Sequence, residues 1–189
     1  MTTTSIVLLA WMSGTVVHAG HPQRKVTVYL LDRAKERHMA CMPAQALAGQ
    51  IFSAIGISLA WGKGKPSRES SQPRIIIEMV DGEPENFKPR SLAYALPYEG
   101  SHITVLVDRI ESMRDPSNVL AYVIVHEITH LLQGIDRHSA TGVMKERWTA
   151  GDFSGMRLRS LSFTPLDIEL IYAGLAQQAA GTSVVMFEP

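Results

Sequence analysis

The chain has 189 residues, 46% of them hydrophobic and 19% charged, and its 18 basic and 18 acidic side chains cancel. That length suits one domain with a sizeable core, and the lack of a basic excess argues against nucleic acid or a membrane surface as partner. No apolar run is long enough to span a bilayer, and the single cysteine, Cys41, excludes an internal disulfide and CxxC-type metal or redox sites.

Met1 to Gly20 reads MTTTSIVLLAWMSGTVVHAG, an apolar stretch ending in the small-x-small pattern Val17-His18-Ala19. It is expected to be a signal peptide over residues 1–19, cleaved after Ala19, although its start carries no Lys or Arg. Residues 20–189 would then be a single exported domain, secreted or periplasmic. If the segment is retained as a buried strand or helix, the protein is cytoplasmic.

Lys25–Leu31 is β-rich and predicts a buried strand. Pro43–Ile55 carries a helical apolar stripe, with Pro43 in its first turn and Gly56 as its stop. Strands are predicted at Ile57–Trp61, Arg74–Val80, Ser91–Leu96 and His102–Val107, the last two as antiparallel neighbours across a short PYEGS connection. Asp115 as N-cap and Pro116 at N1 open a helix through Gln133, which Gly134 stops. Residues 134–163 show no sustained period and read as irregular but ordered. Thr164-Pro165-Leu166-Asp167 resembles a capping box that starts a last helix, to about Gln178. The pattern predicts an α/β or α+β sandwich with helices laid on a five-stranded sheet.

His126-Glu127-Ile128-Thr129-His130 is an HExxH motif inside the long predicted helix. Residues four apart share a helix face, so both imidazoles can point at one Zn²⁺ while Glu127 reaches the water on that metal as general base and acid. A catalytic zinc needs a third protein ligand and one open position. Four candidates follow the helix: Asp136, His138, Glu146 and Glu169. His138 lies beyond the Gly134 stop, where a chain turning back can present it, and imidazole is the commoner partner at short spacing.

The segment HEITHLLQGIDRHSATGVM resembles the zinc motif of metzincin metallopeptidases, HExxHxxGxxH followed by a methionine-containing turn. It departs by two extra residues, one on each side of Gly134, so the strict count would place Asp136 at the third position. The longer string through Trp148 is similar to a group of small secreted bacterial metzincin-like proteins with the pattern HExxHLLxGxxxHSxxGxMxxxW. That resemblance selects His138, with His126 and His130, as ligands of one catalytic Zn²⁺. It also implies that Met144 is the Met-turn residue beneath the metal, and that the fold is α+β with a mixed, mostly parallel five-stranded sheet. A backing helix, the HExxH helix and a C-terminal helix would complete that fold. Ser91–Leu96 would be the antiparallel edge strand that pairs with an extended peptide substrate. Trp148 would shape a side-chain pocket or sit in the core.

The expected activity is therefore a zinc-dependent endopeptidase acting on peptide or protein substrates, a monomer by default. Two alternatives stand beside it: a catalytically silent zinc-binding module of the same fold, and a gluzincin-type peptidase using Glu169 as third ligand. His18, His21, His38 and His102 lack motif spacing, and no spacing selects Tyr94, Tyr98 or Tyr172 as an oxyanion donor.

Overall fold

Strands rich in Ile and Val that alternate between buried and half-buried positions build a sheet with one fully covered face. In the computed structural model, which describes residues 24–33, 40–62, 64, 74–82, 91–96 and 101–184, that sheet has five strands. They are β1 (Arg24–Asp32), β2 (Ile57–Gly62), β3 (Arg74–Val80), β4 (Ala93–Ala95) and β5 (His102–Leu106). The order is β2-β1-β3-β5-β4, parallel except for β4, which runs antiparallel to β5 on the edge. Ile75, Ile77 and Met79 of β3 point into the core, and Ile103 and Val105 of β5 continue that layer. The sheet is thus the mixed, mostly parallel one expected.

Two helices cover it. The first, α1 (Cys41–Ser53), is the right size to cross over between the parallel strands β1 and β2, and it buries Ala44, Leu47, Ala48 and Phe52. It begins and ends two residues earlier than the apolar stripe suggested, and the chain turns through Ala54–Gly56, where Gly56 takes φ 78°. The long helix α3 (Pro116–Gln133) has the predicted span, and Gly134 stops it at φ 68° in the left-handed region. Its burial goes all the way round, since Val119–Gln133 are buried without a break. A helix enclosed on all sides in this way is a core element rather than a surface one.

The second half departs from expectation in four places. Asp115 stands at the N-cap position of α3 but adopts φ 60°, and its side chain caps nothing. Val107 is not the end of β5 but the start of a short helix, α2 (Val107–Glu111). The stretch 134–163, read as irregular, contains α4 (Ala150–Arg157). That helix is opened by a Thr149–Asp152 capping box and buries only Met156, so it left no apolar period to detect. The last helix, α5 (Pro165–Val184), runs beyond Gln178.

α5 docks along the C-terminal part of α3. Gly174 lies so close to the Leu132 carbonyl that any Cβ would collide with it, and the Gln178 side-chain amide donates to Leu131 O at 3.1 Å. The start of α5 is thereby brought alongside the chain leaving α3. No helix among the described residues is long and apolar enough to cross a membrane. The expected cleavage site after Ala19, together with His18, His21, His38 and Tyr98, lies outside the described residues.

Candidate metal centre

His126 and His130 are one helical turn apart on α3, and both are buried. Each ring is fixed by its Nδ1, which donates to a carbonyl: His126 to Val143 O at 2.9 Å, and His130 to Ile135 O at 3.2 Å. A carbonyl oxygen can only accept, so each Nδ1 carries the hydrogen and each Nε2 presents a lone pair. The two Nε2 atoms face each other at 3.0 Å. Converging lone pairs repel unless a cation lies between them, so this donor set could hold a metal ion, with the backbone carbonyls orienting both rings.

His138 completes the set from the loop beyond Gly134. Its ring lies 5.3 Å from that of His126 and 4.9 Å from that of His130, centroid to centroid. Ligand atoms of the three residues all lie within 4.8 Å of one another. A tetrahedral centre with bonds of about 2.0–2.1 Å sets its nitrogens roughly 3.3 Å apart, a distance reached by small movements of the exposed His138 ring. Three imidazoles suit zinc and the later first-row transition metals. Asp136, Glu146 and Glu169, the other candidates, are exposed and lie outside this group.

Burial is the dominant influence on the charges here. It holds the His126 ring down at about 4 and lowers His130 too, which keeps both imidazoles neutral and available as ligands. Burial also pushes Glu127 up to about 8, against one backbone hydrogen bond from Ala95, while Asp136 raises it a little further. Glu127 is therefore a carboxyl kept near neutrality, tied to the edge strand β4 and adjacent in sequence to His126. A dication beside it would draw its titration downward, toward the range where a carboxylate works as a base.

The turn after His138 is built to hold His126. Ser139 and Lys145 form an isolated bridge, with Ser139 N donating to Met144 O at 2.7 Å, and the loop between them offers the Val143 carbonyl to His126. Gly142 takes φ 78°, and a Cβ there would run into the Ser162 carbonyl, so the turn requires glycine. Met144 is fully buried within the core beside this turn.

Two further residues bear on the site in ways the sequence reading did not give. Trp148 stands edge-on to His126 at 5.5 Å between ring centroids, and its buried indole N–H has no partner among the described residues. Asp167, which the sequence marks only as a helix cap, also binds the loop that carries His138. Of the tyrosines, Tyr172 is committed elsewhere, donating to Ile55 O at 2.6 Å, and Tyr94 is exposed on β4. His102 lies exposed at the start of β5 beside Ser101. No family model matches the chain, and no curated protein matches it.

Proposed function

We propose that this protein is a zinc-dependent endopeptidase of metzincin-like design, with His126, His130 and His138 as zinc ligands and Glu127 as general base and acid. The observation that carries the reading is the paired Nε2 lone pairs, locked by Nδ1 bonds to carbonyls, with a buried carboxyl next in sequence. When bound, zinc would supply a water of pKa about 7 and a Lewis acid for the scissile carbonyl. Glu127 takes the proton of the attacking water on its carboxylate and passes it to the leaving amine. Its burial restrains it from losing that proton to bulk solvent.

Substrate binding falls to the sheet edge. β4 is the outermost strand, Tyr94 is exposed on it and Leu96 just beyond its end, and Ala95 N–H already bonds Glu127. An extended peptide adding to this edge would lie beside the metal ligands, held by its main chain and with modest sequence preference. Met144 serves as the apolar support of the turn that holds His126, and export through residues 1–19 would place the enzyme outside the cytoplasm.

Mass-spectrometric detection of products from a proteome-derived peptide library tests the reading, comparing the protein with its Glu127→Ala variant. Products that vanish in the variant are the expected result. A folded protein that holds about one zinc and yields no products would overturn the peptidase and leave a zinc-binding module.

A further inference from the structure

We propose that Asp167, at the start of α5, is a positioning residue that pre-organises His138 for the metal; this inference rests on the ligand set assigned above. The Asp167 side chain is completely buried, and its two oxygens do different jobs. Oδ2 accepts from Thr164 N at 2.9 Å and from Thr164 Oγ1 at 2.7 Å, while Asp167 N donates back to Thr164 Oγ1 at 3.2 Å. That is a complete capping box, and it uses Oδ2 alone.

Oδ1 is left for another purpose. It accepts from Ser139 Oγ at 2.6 Å and from Arg137 Nη1 at 2.9 Å. These two residues are the immediate neighbours of His138 on either side. The Asp167 carbonyl also accepts from Gln133 Nε2 at 3.2 Å, at the last residue of α3 before the Gly134 stop. One residue therefore joins the end of the ligand-bearing helix, both flanks of the third ligand and the start of the last helix.

His138 depends on such an anchor more than its partners do. His126 and His130 are buried on a helix and oriented through Nδ1, whereas His138 is exposed on a loop and its ring makes no hydrogen bond to a described residue. Packing does not hold its ring, and beyond the Ser139–Met144 backbone bond it is the flanking side chains that hold the loop to the rest of the fold. A loop that is free before binding loses conformational freedom when metal is captured, and an anchored one has lost it already. Supporting contacts of this kind typically alter metal affinity about 10–100-fold when removed.

Zn²⁺ affinity and release rate, with the absorption of the Co²⁺-substituted protein, give readouts independent of peptide hydrolysis. The variants are Asp167→Asn, Ser139→Ala and Thr164→Val, each also combined with His138→Ala. Asp167→Asn and Ser139→Ala are expected to weaken Zn²⁺ binding at least about tenfold and to perturb the Co²⁺ spectrum, with no added effect once His138 is gone. Thr164→Val, which breaks the cap but not the Oδ1 contacts, is expected to lower thermal stability and leave affinity intact. Ser139→Ala leaves the cap untouched, so it decides the matter should Asp167→Asn fail to fold. Wild-type affinity in Ser139→Ala, an equal loss in the His138→Ala background, or a matching loss in Thr164→Val would each overturn the inference. A wild-type protein that takes up neither metal would instead overturn the metal centre, and the anchor with it.

Discussion

Among the described residues two carboxylates are buried, Glu127 in the middle of α3 and Asp167 at the head of α5, and the protein surrounds them in opposite ways. Asp167 accepts four hydrogen bonds on its side chain, one of them from a guanidinium, and together they hold it below the usual carboxylate range in spite of its burial. Glu127 has one backbone N–H from Ala95 set against its burial, and it is pushed up to about 8. Fully satisfied, a buried carboxylate is rigid and fixes what it touches; sparsely satisfied, it is a proton acceptor in waiting. On the proposed reading, the contrast separates a group that holds geometry from one that would exchange protons.

The comparison can be broken most sharply at Glu127 itself. Glu127→Gln should lower peptide hydrolysis about 10³-fold while leaving the fold intact, as steady-state kinetics and circular dichroism would show. A variant retaining most of the activity would remove the proton-transfer role. Asp167→Ala should strike the fold itself, costing about 3 kcal/mol of stability in urea denaturation because Arg137, Ser139 and Thr164 all lose their acceptor. A loss under about 1 kcal/mol would mean that the four bonds contribute little.

pH separates the two groups next. In metal-free protein Glu127 keeps its proton up to about 8, whereas the unfolded chain releases it near 4.5. The folded state thus binds the extra proton in that window, and stability falls as pH rises through it. Below 6.5 His126 opposes this trend, because the unfolded chain protonates it while the folded ring stays neutral to about 4. From pH 6.5 to 8 the Glu127 trend stands alone among these groups, a decline of roughly 2 kcal/mol that Glu127→Gln should abolish. A flat profile in the metal-free wild type over that interval would contradict the sparse solvation of Glu127. Asp167 has the opposite sign: its contribution is full above its unfolded value of 3.8 and disappears as pH falls below it. The smallest effect belongs to Thr164→Val, about 1 kcal/mol from the lost cap, measurable by thermal melting.

Features with local physical causes were legible in the sequence. The span of α3 follows from Pro116, its apolar continuity and Gly134, and HExxH places two imidazoles on one face wherever it is helical. β3 matches its predicted limits because Arg74–Val80 is a short β-branched, apolar run set between a Gly/Lys/Pro/Ser-rich stretch and a polar one. What escaped depends on distant partners. α4 buries a single side chain and announces itself only by Thr149 and Asp152. Asp115 looked like an N-cap, yet it adopts the left-handed region and its side chain makes no cap bond to the helix. The second oxygen of Asp167 finds partners 28 and 30 residues earlier, and no periodicity or spacing encodes such a contact.

That separation also orders events in time. The loop bearing His138 emerges from synthesis well before the residue that ties it down. At about 5–20 residues per second, the intervening segment takes a few seconds to appear. During that interval α3 can already display two imidazoles, but on the proposed anchoring the third would have no fixed place until α5 begins and docks through Gly174 and Gln178. On the proposed reading, the nascent chain would be a weak metal trap that becomes a strong one only once α5 has been made and docked.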